Sequence, residues 1–205
     1  SFCEMRTMLS RIVQPVMAMI VLSLFAGAAQ AQAADLIAVQ TPRGAKQAFI
    51  LIKPAQPAAA VVLFAGGHGR LGLKTASTVA WGKQNFLVRV RNQFAAQGFM
   101  VAVVDAPSDH QSARGMNAVF RMSAAHAADI GAVVAYLKKQ ANVPVWLIGT
   151  SMGTFSAAGG AIGPKSIDGL VLTATITRAK SNWNIAGSHP NGVASMRLSW
   201  VAVPS

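Results

Sequence analysis

The stretch Pro144-Val145-Trp146-Leu147-Ile148-Gly149-Thr150-Ser151-Met152-Gly153 runs from an apolar segment into a serine set between glycines, and small residues dominate 154–161. An apolar run opened by proline reads as a buried strand over 144–148, and the small-residue run as a helix over 151–161. The pattern G-x-S-x-G therefore lies between a strand and a helix, the context in which it carries chemistry. As letters alone it is weak, and a serine at an ordinary turn is the alternative. In the strand-turn-helix setting, the flanking small residues let the two elements approach without collision. The serine is then expected in a strained backbone conformation that pushes its hydroxyl into a cleft. Ser151 is the candidate nucleophile.

Outward from this turn the chain alternates strand-like and helix-like runs. Segments 36–40 and 48–52 read as two opening strands with Thr41-Pro42-Arg43-Gly44 as a hairpin turn, and 60–64, 100–104 and 168–173 as further strands. Residues 85–97 place Phe86, Leu87, Val90 and Phe94 on one helical face. Residues 117–140 place Val119, Met122, Ile130, Val133, Val134 and Leu137 inward on a long helix. The predicted fold class is α/β, a mostly parallel sheet with helices on both faces, whose ligands bind beyond the carboxyl ends of the strands.

An attacking serine needs donors for the oxyanion it creates. The N–H of Met152, at the start of the following helix, is the first candidate. The second is the N–H of Gly67 or His68 in Ala65-Gly66-Gly67-His68-Gly69 after the third strand, where glycines let backbone come close to a substrate. An ordinary glycine turn is the competing reading. A base is harder to find. His110 follows Asp109 in the loop after the fourth strand, on the same sheet edge as Ser151, while Asp105 and Asp109 can instead bond their own backbone. His126 shares a helical face with Met122 and Ile130 and has Asp129 three residues on, which fits a hydrogen-bonded histidine at the core edge better than a catalytic one. His189 is the sole histidine downstream of Ser151 and competes with a turn role. Trp81, Trp146, Trp183 and Trp200 form no stripe and read as packing or rim residues.

Composition bounds the rest. With 205 residues, 53% of them hydrophobic and 12% charged, the chain is too apolar for disorder and suits one packed domain. One cysteine and no clustered Cys/His spacing leave neither a disulfide nor a structural metal to expect, and no cofactor motif is present. At the amino end Arg6 and Arg11 precede an uncharged run over 16–29 that ends in Ala29-Gln30-Ala31-Gln32-Ala33. That is the pattern of a signal peptide spanning residues 1–33, cleaved after Ala31 or Ala33, with an uncleaved anchor or buried helix as the alternative. A periplasmic or secreted protein without stable membrane insertion is expected, with domain 34–205 following. Loss of Arg6, Arg11 and Glu4 leaves 16 basic residues against five aspartates, net +11. Those charges are scattered between apolar runs, so no nucleic-acid partner is implied.

In the strand order, the glycine loop, Asp105-Ala106-Pro107-Ser108-Asp109 and Gly149 to Gly153, the chain resembles the α/β-hydrolase family over about 36–175, and more narrowly its exported bacterial serine hydrolases of undefined substrate. The resemblance implies an acyl-enzyme on Ser151, oxyanion donors at Met152 and at Gly67 or His68, and a small-molecule acyl substrate. Ala65 stands where many esterase members have histidine. The family order is serine, then acid, then histidine, yet no Asp or Glu follows Asp168. Two further strand units would hold the missing members, and Val201-Ala202-Val203-Pro204 reads as the start of one, so the domain is expected to be incomplete at its carboxyl end. The rival readings are a non-catalytic binding protein or inactive fragment, and a different reaction on the same scaffold such as perhydrolysis. The oligomeric state is left open.

Overall fold

The computed structural model describes residues 32–162 and 167–175. His189, the segment 201–204 and almost all of the expected signal peptide lie outside them. Alternating side chains on short apolar runs give strands β1 (Ala34–Gln40), β2 (Lys46–Ile52), β3 (Ala59–Phe64), β4 (Phe99–Val104), β5 (Val145–Thr150) and β6 (Gly169–Thr173). They form one sheet in the order β1-β2-β4-β3-β5-β6. The β1–β2 hairpin closes through Thr41 N–H to Ala45 O at 2.8 Å, and β2 is antiparallel to β4. The remaining neighbours are parallel, with Phe64 level with both Val104 and Gly149. The loops that leave β3, β4 and β5 therefore emerge at one edge of the sheet.

Helices α1 (Phe86–Arg89), α2 (Arg91–Ala96), α3 (Ala118–Arg121), α4 (Ala124–Gln140) and α5 (Gly153–Ile162) cover the sheet. On one face Phe49, Val62, Phe64, Met100 and Leu147 pack with Ile130, Val133, Val134 and Leu137 of α4 and Ala157 of α5. On the other, Ile50, Val61, Leu63, Val101 and Val103 pack with Leu71, Leu87, Val88 and Ala95. Burial on both faces explains why the central strands are apolar throughout. The small residues of α5 have a packing cause: a Cβ on Gly160 would stand 2.8 Å from Ile130 Cδ1, and one on Gly159 would stand 2.6 Å from Arg121 O.

Both long helices expected from periodicity are broken. Residues 117–140 divide at Met122 and Ser123, because the Ser123 hydroxyl accepts from His126 N–H (3.2 Å) and donates to Phe120 O (2.6 Å), starting a new helix. Val119, expected inward, is 51% exposed, since α3 has its own axis. Residues 85–97 divide at Val90, and Phe86, in the first turn of α1, is 48% exposed.

Arg43 in the hairpin turn ties this sheet edge to the helices. Its Nε and Nη2 grip Asp129 of α4 at 2.8–3.0 Å, while Nη1 and Nη2 reach Asp109 at 2.5 and 2.9 Å. Arg43 holds the Asp109 carboxyl well below the usual carboxylate range. Asp109 thus pairs with a distant arginine in addition to bonding its own backbone. Asp129 is fully buried, so Arg43→Met, which strands that charge, is expected to cost about 3–5 kcal/mol. Urea unfolding checks this, and a loss below about 1 kcal/mol would contradict the pairing as a stabilising element.

Candidate active site

The turn between β5 and α5 is tight enough to dictate its residues. A Cβ on Gly149 would collide with Gly153 O, and one on Gly153 would collide with Phe64 O. Ser151 between them has φ +51°, a left-handed value that a side chain disfavours. The bend is held by Ser151 N–H to Thr173 O (3.1 Å), and Ser151 O accepts from Thr154 N–H (3.0 Å) and from the Thr154 hydroxyl (2.6 Å). Ser151 is half-buried, and its own hydroxyl has no hydrogen-bond partner among the described residues. Strain at this position has a measurable sign. Ser151→Gly is expected to be about 1 kcal/mol more stable than Ser151→Ala in thermal unfolding, because glycine alone accepts the positive φ freely. Equal stabilities would argue against strain.

The glycine loop after β3 lies directly against this turn. A Cβ on Gly66 would meet Ser151 Cβ and Thr150 O at 3.2 Å and Asn85 Nδ2 at 3.3 Å, and Gly67 has φ +60°. The N–H groups of Met152, Gly67 and His68 donate to no acceptor among the described residues. Ser151, Met152 and the loop are therefore brought together. The His68 ring does not serve as a free base here. Its Nδ1 accepts from Arg70 N–H at 3.1 Å, and burial, then the charges of Arg70 and Arg121, lower its pKa. It stacks on Trp81 with ring centroids 3.8 Å apart, and Trp81, 39% exposed, forms the rim above Gly67.

His110 is engaged elsewhere. Its Nδ1 lies 3.1 Å from Asp109 Oδ1 and its ring stacks on Phe120 at 3.6 Å, in the Arg43 cluster. Asp105 is buried and accepts the N–H groups of Leu71 (2.5 Å), Leu73 (3.0 Å) and Ala106 (2.7 Å), which shapes the loop following the glycines. Among the described residues no three His, Cys, Asp or Glu side chains converge as a metal site would require, and no helix is long and apolar enough to cross a membrane. A groove of about 400 Å³ between the hairpin and α4, lined by Val39, Thr41, Ala132 and Tyr136 among others, contains none of these residues.

Behind the turn lies a polar cluster in which His126, expected from its spacing as a hydrogen-bonded histidine, finds Ser156 as a partner that periodicity did not reveal. His126 Nε2 is 3.0 Å from the Ser156 hydroxyl, and His126 Nδ1 is 4.0 Å from Asp129 Oδ2. The residue types match a hydrolytic triad, but all three side chains are fully buried, and 4.0 Å is too long for the orienting hydrogen bond. Burial, then Arg121, Arg43 and His110, push the His126 pKa down to about 3. The unfolded chain takes up this proton near pH 6.5 and the native chain does not. Stability is therefore complete above 6.5 and is lost as pH falls toward 3, by up to about 1.4 kcal/mol per unit from this group. Urea midpoints between pH 7 and 5 should show a shallower slope in His126→Gln than in the parent, and identical slopes would contradict this.

No family model and no curated protein matches the sequence. Solved structures do match in fold. A cold-adapted esterase from an Arctic intertidal metagenomic library shares 18% identity at TM-score 0.53, covering 70% of this chain and 61% of that one. An α/β hydrolase from Penicillium sp. shares 15% at TM-score 0.54, covering 70% and 46%. An esterase from Pyrococcus furiosus shares 18% at TM-score 0.53, covering 70% and 50%. The chain spans about half to three fifths of the length of these structures. At such identities the likeness establishes the fold, which is α/β-hydrolase-like.

Proposed function

We propose that this chain carries the nucleophile and oxyanion hole of a serine hydrolase acting on an ester, thioester or amide carbonyl. The observation that supports it most is the positive φ of Ser151 at a turn closed by Gly149 and Gly153 and abutted by Gly66. Folds do not specify reactions, so the weight rests on this site. Ser151 Oγ forms a bond to the substrate carbonyl carbon while its proton passes to a general base. The carbonyl oxygen, now an anion, takes hydrogen bonds from Met152 N–H and from Gly67 or His68 N–H. Collapse breaks the bond to the leaving group, which receives the proton, and water then releases the acyl group from Ser151. We place the base and its acid outside the described residues. Residues 1–33 would direct export to the periplasm or beyond, in keeping with their charge and apolar pattern.

A binding protein without chemistry is the second reading, favoured by the lack of any described base at the Ser151 hydroxyl. Treating the complete protein with a fluorophosphonate separates the two. The proposal expects stoichiometric labelling on Ser151, abolished in Ser151→Ala, and loss of about a thousandfold or more of esterase activity in that variant. A folded protein that stays unlabelled would overturn it.

A further inference from the structure

Arg121, the last residue of α3, is fully exposed to protein and not to water, with 0% of its surface accessible. No carboxylate among the described residues pairs with it. Its Nη2 donates to Gly67 O at 3.0 Å and its Nη1 to the Ser156 hydroxyl at 2.8 Å, while Nε has no partner among the described residues. The space it fills is reserved: a Cβ on Gly69 would run into Nη2. Burial lowers the guanidinium pKa to about 10, which leaves it charged at neutral pH. Stability alone does not explain such a residue, because well-packed apolar side chains of similar volume commonly replace buried ionic groups at no loss.

The two acceptors are the informative feature. Gly67 O belongs to the glycine loop, and Ser156 lies on α5, whose first turn follows Met152. With Ser151 read as the nucleophile, we propose that Arg121 is a positioning residue that clamps the two halves of the oxyanion hole at a fixed separation. The planar guanidinium holds its two donors at a set spacing, which a flexible lysine ammonium does not. Carbonyl and N–H of a trans peptide point in opposite directions, so drawing Gly67 O toward Arg121 turns the His68 N–H away from it. Donation to that carbonyl also polarises the peptide and strengthens its N–H as a donor. The bonds continue inward. Ser156 accepts from Arg121 and also lies within hydrogen-bond distance of His126 Nε2 at 3.0 Å, tying α5 to α4 as well.

The test measures Arg121→Met and Arg121→Lys in the complete protein with p-nitrophenyl butyrate, each rate divided by the fraction of Ser151 that a fluorophosphonate labels. The clamp predicts kcat per labelled site at least tenfold lower in Arg121→Met, KM within threefold, and a matching loss of affinity for a trifluoromethyl ketone whose hemiketal oxygen occupies the hole. Arg121→Lys should recover a minority of kcat. Should Arg121→Met not fold, Ser156→Ala severs the α5 side alone and is expected to lower kcat three- to tenfold. An active parent with kcat per labelled site within twofold in these folded variants overturns the clamp and leaves the hydrolase reading standing. A folded parent that neither labels nor turns over overturns both.

Discussion

Three backbone segments meet at the edge of this sheet with no room for a side chain between them. Gly153 touches Phe64 O at the end of β3, Gly149 touches Gly153 O across the turn, and Gly66 touches Ser151 and Thr150. Contact this close fixes where α5 starts, and the chain reaches that start from β5 only by taking Ser151 through a positive φ. The cost, about 1–3 kcal/mol for a residue other than glycine, is borne because the apolar packing on both sheet faces leaves no alternative path. The same crowding brings the half-buried Ser151 beside N–H groups of Met152, Gly67 and His68 that donate to no acceptor among the described residues.

Polar groups placed behind that edge are arranged in two separate sets. Arg43 pairs with both Asp129 and Asp109 and joins the hairpin to α4, whereas Arg121 meets neutral acceptors on the glycine loop and α5. His126 sits between them and stays uncharged chiefly because it is buried, with the charges of Arg121 and Arg43 adding to the effect. Its partner Ser156 joins α5 to α4 through this contact. Full burial of Ser156 removes it from any substrate.

What could be read from the residues follows from how local each cause is. The hairpin, the central strands and the bend at Ser151 are specified by neighbours in the chain: a turn tetrapeptide, apolar runs, glycines two positions either side of a serine. The break at Ser123 was also locally encoded, as a serine three residues before His126, but unbroken apolar spacing concealed it. Arg121 and Asn85 left no such trace, whereas Trp81 was read as a packing or rim residue and lies at the rim. Arg121 acts on Gly67 across 54 residues, and Arg43 on Asp129 across 86, and nothing within a few positions of either marks the partner. An arginine in an otherwise apolar, small-residue neighbourhood was the one available hint.

The most direct measurement is a crystal structure of the complete protein after reaction with a phosphonate. The expected result is a bond from phosphorus to Ser151 Oγ, with one phosphoryl oxygen about 2.7–3.1 Å from Met152 N and from the N of Gly67 or His68. An adduct on another residue, or a phosphoryl oxygen turned away from both amides, would contradict it.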